Sequence, residues 1–146
     1  MNEKELLEQA WSIAEQCHNG QLYGTEPYLY HIQRVYNRVD KLKWSMFGDR
    51  IVSVLHDVVE DSNYSFKEIE RIFGNQIYVA VFAITRSPEL ETYEEYIYRV
   101  SRNMIARNVK ACDLLDNLSN CYRQPNQYGH LINRYENALI ELASGG

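Results

Sequence analysis

His56, Asp57, Glu60 and Asp61 stand together in Arg50-Ile51-Val52-Ser53-Val54-Leu55-His56-Asp57-Val58-Val59-Glu60-Asp61, a run whose remaining positions are mostly β-branched or leucine. Imidazole and carboxylate are donors that divalent cations accept, and a carboxylate beside a water can take its proton. The spacing predicts one helix through the run. Residues four apart then stack, His56 on Glu60 and Asp57 on Asp61, while Ile51, Val52, Val54, Leu55, Val58 and Val59 cover most of the rest of the circumference. A helix so apolar is a central, buried one. Carboxylates on it are costly unless they are paired, hydrogen-bonded or metal-bound. The run therefore points to a metal-bearing or catalytic cleft in a helical core, with hydrolysis as the first chemistry to expect.

Such a site needs donors from other segments. His31 follows a Gly24-Thr25-Glu26-Pro27 loop and lies one turn beyond Tyr28, and Asp113 sits in Val109-Lys110-Ala111-Cys112-Asp113-Leu114-Leu115-Asp116-Asn117-Leu118. Asp113, Asp116 and Asn117, at i, i+3 and i+4, share a helix face. Each histidine taken alone also reads as a hydrogen-bonded core residue. Glu60-Asp61 also reads as a solvent-facing helix end, although acidic groups there oppose the helix dipole and call for compensation. His18 suits a structural position at the end of its helix, His130 an exposed one at a helix start, and Arg86 and Arg123 are either surface charges or phosphate contacts.

The positioning elements follow from apolar periodicity and punctuation. Leu6, Ala10, Ile13, Ala14 and Cys17 predict a helix over 3–18, and Gly20, Gly24 and Pro27 a loop over 19–28. A second helix runs from Tyr28 to about Val39, and Gly48-Asp49 forms a break with Asp49 as a cap for the central helix. Ser65 with Glu68 and Thr92 with Glu95 are capping boxes, and Gly74 is a helix stop. The run from Ile77 to Ile84 has a strand's composition, but the helical surroundings and the lack of a second such run favour a helix. A helix over 105–118, a turn at Gln124-Pro125-Asn126 and a last helix through Leu131, Tyr135, Leu139 and Leu142 precede a Gly145-Gly146 tail. The expected fold is all-α, one domain over 1–146, with seven or eight helices.

A net charge of -5 over 146 residues offers no basic field for long nucleic acid. Cys17, Cys112 and Cys121 are odd in number, without CxxC spacing, and read as buried reduced thiols of a cytoplasmic protein. The charged Met1-Asn2-Glu3-Lys4-Glu5 start does not resemble a signal peptide, and no window has the length of a membrane span, so no membrane partner is expected. The twelve tyrosines suit surface and rim packing.

Four segments stand in order: Cys17-His18-Asn19-Gly20-Gln21, Glu26-Pro27-Tyr28-Leu29-Tyr30-His31, Leu55-His56-Asp57-Val58-Val59-Glu60-Asp61 and Val109-Lys110-Ala111-Cys112-Asp113. This series resembles the HD-domain metal-dependent phosphohydrolases of the RelA/SpoT hydrolase and small alarmone hydrolase type, over roughly residues 5 to 142. The Glu91 to Ile97 segment is similar to that of the single-domain subgroup. The resemblance implies an HD-domain helical bundle in which His31, His56, Asp57 and Asp113 ligate one divalent cation, typically Mn²⁺. It assigns Glu60 and Asp61 to positioning and activating the attacking water, and Asn117 and Tyr135 to the nucleotide. The implied partner is a small phosphorylated nucleotide, and for guanosine tetraphosphate the reaction releases the 3′-pyrophosphate and leaves GDP. Leu22-Tyr23-Gly24-Thr25 replaces a basic Arg-Lys pair of such enzymes, Leu114 replaces a basic residue, and Asp116 adds a negative charge near the expected pocket. Another nucleotide or phosphate ester as substrate, or a non-catalytic nucleotide-binding regulatory module, stand as alternatives.

Overall fold

The central apolar run of the sequence is also the centre of the molecule. In the computed structural model, which describes residues 1–144, α3 (Phe47–Leu55) packs against α1 (Glu3–Cys17), α2 (Tyr28–Asp40), α6 (Asn75–Ile84) and α8 (Met104–Arg123). Ile51, Val52, Val54 and Leu55 have no solvent exposure, the result expected of a helix apolar all round. The chain closes over it with α4 (Val58–Asp61), α5 (Phe66–Phe73), α7 (Tyr93–Ser101), α9 (Pro125–Tyr128), a 3₁₀ turn (Gly129–Leu131) and α10 (Ile132–Ser144). The fold is all-α, and eight of the described helices have eight or more residues, as the periodicity predicts. The Gly145-Gly146 tail lies outside the described residues. No described helix is long and apolar enough to cross a membrane, and the three cysteines are free thiols.

Three local readings need correction. The run from Arg50 to Asp61 is not one helix: α3 ends at Leu55, His56 and Asp57 form a turn, and α4 begins at Val58. The carbonyl of Ser53, which a continuing helix would offer to the Asp57 N–H, instead accepts from His56 Nδ1 at 2.7 Å. Asp57, at φ -107° and ψ 0°, leaves the helical region there, a side-chain intrusion of the kind that breaks a helical ladder. Asp49 is not the residue before the helix. α3 starts two positions earlier, with Met46 as its N-cap, and the Asp49 carboxylate accepts from the Met46 N–H at 3.0 Å. Gly48 lies inside this first turn, where a Cβ would stand 3.0 Å from Ile105 Cδ1, so a larger residue there would require the Ile105 side chain on α8 to shift. Finally, the predicted loop over 19–28 contains a small hairpin, β1 (Leu22–Tyr23) with β2 (Glu26–Pro27). Gly24, at φ +63°, supplies the positive φ that such a two-residue turn requires.

The run from Ile77 to Ile84 is helical, and its end is held from outside. The Arg99 guanidinium on α7 donates to the carbonyls of Phe82, Ala83 and Thr85 at 2.9–3.1 Å and pairs with Glu91 at 2.7 Å. It therefore covers carbonyls that α6 cannot satisfy internally. Arg99→Met leaves Glu91 and the carbonyls of Ala83 and Thr85 without the guanidinium, while the Phe82 carbonyl keeps the Thr85 N–H. We expect a loss of about 2 kcal/mol in urea unfolding, less than for a fully buried pair because the guanidinium is 33% exposed.

Candidate metal centre

Each donor predicted from the sequence reaches the same point by a different route. His31 lies one turn into α2 and is buried against α8. His56 and Asp57 occupy the break between α3 and α4, so the backbone departure that ends α3 also turns Asp57 toward the cluster. Asp113 comes from the middle of α8. One donor atom from each of His31, His56, Asp57 and Asp113 lies within 4.8 Å of the others. Asp113 Oδ1 is 2.9 Å from His31 Nε2 and 3.3 Å from His56 Nε2. Asp57 Oδ2 is 3.1 Å from His56 Nε2 and 4.0 Å from His31 Nε2.

These residues fit a divalent cation. His56 Nε2 is buried with no hydrogen-bond partner, although the two carboxylate oxygens stand near it, while the other ring nitrogen is committed to Ser53. A buried nitrogen aimed at two oxygens without bonding geometry to either is the arrangement a shared ion would satisfy. Two imidazole nitrogens with two carboxylate oxygens form a donor set for a hard or borderline metal.

The charges are strongly coupled. Burial disfavours protonated His31, but hydrogen bonds to Asp113 and Asp116 outweigh it and hold its pKa above the ordinary value. His56 is likewise raised, Asp57 and Asp113 overcoming burial. Burial also opposes the Asp113 carboxylate, yet Lys110, 3.0 Å away, and the two histidines bring its pKa well below the usual range. Asp57 is lowered against burial chiefly by His56, and its Oδ2 accepts from the Tyr28 hydroxyl at 2.6 Å.

Glu60 and Asp61 lie on α4 at the exposed mouth of this cluster. Glu60 Oε1 accepts from the Arg86 N–H at 3.0 Å, which leaves Oε2 open. Asp61 Oδ2 accepts from Gln21 Nε2 at 3.0 Å, and Gln21 Oε1 accepts from His18 Nδ1 at 2.7 Å. His18 is therefore a buried helix-end residue as expected, the C-cap of α1, but it also orients Gln21. Desolvation, followed by the nearby Asp57 charge, raises the pKa of both Glu60 and Asp61.

A polar cleft of about 210 Å³ opens from the cluster and includes Glu60, Asn117 and Tyr135 in its walls. Asn117 and Tyr135 also line an adjoining pocket of about 210 Å³ beside the β1–β2 hairpin. Three cations face the cleft: Arg86, Lys110 and Arg134. Of the two arginines left undecided by the sequence, Arg86 lines it and Arg123 does not. Sequence reasoning missed Gln21, Tyr28, Lys110 and Arg134. The first three lie within quoted motif segments beside the chosen residues, whereas Arg134 carried no signal. Tyr28, Tyr93, Tyr96 and Tyr135 also line the cleft, so part of the tyrosine excess is in the site rather than on an indifferent rim. Asp116, expected as an added charge near the pocket, is buried and engaged by His31 and Arg34.

No family model matches the chain. It is 33% identical over 75 residues to the guanosine-3′,5′-bis(diphosphate) 3′-pyrophosphohydrolase MESH1 of Drosophila melanogaster, covering 49% of this chain and 42% of that one. The enzyme of the same activity name from Aquifex aeolicus is 28% identical over 123 residues, 78% of this chain and 17% of the relative. A GTP pyrophosphokinase of Streptomyces coelicolor is 25% identical over 121 residues, 77% and 14% respectively. This chain thus spans less than half the length of each of these relatives. A solved structure of a metazoan ortholog of SpoT, described as hydrolysing ppGpp and playing a role in starvation responses, superposes with a TM-score of 0.80. The match covers 96% of this chain and 86% of that one at 22% identity. The chain has the fold of that SpoT ortholog. The resemblance to RelA/SpoT-type hydrolases carried by the ordered motifs is borne out in fold and in sequence likeness.

Proposed function

We propose that the chain is an HD-type, metal-dependent phosphohydrolase domain that removes the 3′-pyrophosphate from a guanosine tetraphosphate-type nucleotide, acting in the cytoplasm. The observation that carries this reading is the convergence of the four-donor cluster with Glu60, Arg86, Lys110 and Arg134 around one cleft, Asp61 following Glu60 on α4. The names of the SpoT-type relatives support the substrate class.

His31, His56, Asp57 and Asp113 would hold the cation, with Mn²⁺ the leading choice. When bound, the cation supplies Lewis acidity toward a phosphoryl oxygen and toward water. Tyr28 donates to Asp57 Oδ2 and fixes that carboxylate. Glu60 takes the proton of the attacking water at Oε2, the oxygen that Arg86 N–H leaves available. Asp61, held by Gln21, orients the water. Arg86, Lys110 and Arg134 offset the phosphate charge. Asn117 and Tyr135, on the wall shared with the second pocket, contact the nucleoside.

The hairpin favours a second reading of the substrate. Leu22, Tyr23, Gly24 and Thr25 bring no cation to the second pocket, which suits a nucleotide or phosphate ester less anionic at that end. Incubating the Mn²⁺-loaded protein with guanosine tetraphosphate and following products by ³¹P NMR separates the two. Pyrophosphate and GDP in equal amounts support the first reading, and comparable turnover of simple phosphate monoesters contradicts it.

A further inference from the structure

His31 is pinned along both ring edges by one helix. Asp113 and Asp116, one turn apart on α8, take opposite nitrogens of the ring: Asp113 Oδ1 lies 2.9 Å from Nε2 and Asp116 Oδ2 lies 2.7 Å from Nδ1. Nε2 is the atom that converges with His56, Asp57 and Asp113, while Nδ1 faces away from them toward Asp116. An imidazole can present either nitrogen after a half-turn of its ring. A carboxylate fixed behind Nδ1 selects the orientation that sends Nε2 to the cluster.

Asp116 is itself fixed. It is only 2% exposed, a placement that is costly for a carboxylate without partners. Its second oxygen accepts from Arg34 Nε at 2.9 Å, and Arg34 Nη1 pairs with Glu26 at 2.7 Å. Arg34 lies one turn beyond His31 on α2, so the histidine and the residue that secures its partner are set by the same helix. The remaining face of the imidazole is covered by the Tyr23 ring, stacked at 4.5 Å with an interplanar angle of 6°. The Arg34 guanidinium carbon lies 5.4 Å from the centre of that ring. Arg34, Asp116 and Tyr23 thus surround His31 on the sides that the cluster does not use.

We propose that Asp116, secured by Arg34, is a positioning residue for metal binding: it holds His31 with Nδ1 donating and Nε2 presented to the cation. This rests on the reading that His31, His56, Asp57 and Asp113 form a metal site. The charge that the sequence places near the pocket as an apparent liability becomes part of the support for a ligand, and Arg34 neutralises it. Carboxylate partners behind ligating histidines act in this way, and their loss weakens metal affinity by about 10–100-fold.

The test measures Mn²⁺ affinity of the purified chain by titration with electron paramagnetic resonance detection of the free ion, for wild type, Asp116→Asn and Asp116→Ala. Wild type should bind one ion. Asp116→Ala should lose about 10–100-fold in affinity. Asp116→Asn, whose amide oxygen still accepts from Nδ1–H, should recover a large part of the loss, a rescue that a purely structural role of the charge would not give. In the Zn²⁺-loaded wild type, ¹H–¹⁵N correlation of the His31 ring should show Nδ1 protonated and Nε2 bound. Equal affinity of wild type and Asp116→Ala, or Nδ1 as the bound nitrogen, would overturn the proposal while leaving the metal site standing. A wild type that binds no Mn²⁺, Co²⁺ or Zn²⁺ would overturn both. Thermal unfolding of each metal-free variant identifies a fold defect. If Asp116→Ala is not folded, the wild-type His31 ring decides: Nδ1 without its proton, or Nδ1 as the metal-bound nitrogen, would overturn the proposal.

Discussion

Asp57→Asn removes metal binding and turnover together while leaving a folded protein. The substitution keeps an oxygen for the Tyr28 hydroxyl, which donates to Asp57 Oδ2 at 2.6 Å, but withdraws the charge that His31 and His56 face. Losing a ligand should exceed the ~100-fold effect of losing an outer partner, and turnover should fall by at least about 10³-fold if the chemistry depends on the ion. A substrate-independent readout checks the first half. A ligand that binds only the folded state stabilises it by about 4 kcal/mol at a thousand times its dissociation constant. Thermal unfolding of wild type with excess Mn²⁺ should therefore shift upward by several degrees, and Asp57→Asn at the same concentration should not shift. If Asp57→Asn retains the full Mn²⁺-dependent stabilisation, Asp57 is not a ligand.

The four donors are picked out by the resemblance of the ordered segments; what the residues themselves show is that each is a polar group in a position otherwise read as core. His56 and Asp57 interrupt Val54-Leu55 and Val58-Val59; His31 precedes Ile32 and Val35; Asp113 falls between Cys112 and Leu114. Burial of such groups needs a reason, and that demand survives errors about local geometry. It survived here, since the single helix assumed through Asp61 is broken at the two residues that matter. Periodicity gives the mean path of the backbone, whereas the break comes from one side-chain hydrogen bond, His56 Nδ1 to the Ser53 carbonyl. Spacing alone does not reveal it. Asp116 was legible as sharing a face with Asp113, but its partner was not. Arg34 is remote in sequence and becomes visible only when α2 lies on α8. Arg134 was hidden for a similar reason: it occupies the polar side of an amphipathic helix, and only the packing of α10 against α7 and α8 turns it toward the cleft.

Glu60→Gln should separate chemistry from metal binding. Glu60 is not among the four clustered donors, and a glutamine oxygen can still accept the Arg86 N–H that Glu60 Oε1 accepts at 3.0 Å. The variant should then bind Mn²⁺ as wild type does while losing about 10²–10⁴-fold in turnover, the range attributed to a general base. The pH profile gives an independent sign. Desolvation, then the Asp57 charge, raises the Glu60 pKa above its ordinary value. A base must be ionised to accept a proton, so kcat/KM should rise with pH through that raised pKa and level off above it. The charge of a bound cation opposes this shift, so the variant in which the limb disappears, rather than its midpoint, identifies the group that titrates. In Glu60→Gln the limb should disappear from the residual activity, because the amide does not titrate. Asp61→Asn, whose side chain still bonds to Gln21 through its amide oxygen, should retain the limb, since it alters the orientation of the water and leaves the proton acceptor in place. An acid limb that persists in Glu60→Gln and vanishes in Asp61→Asn would exchange the two roles, assigning the proton to the carboxylate that His18 and Gln21 hold in place.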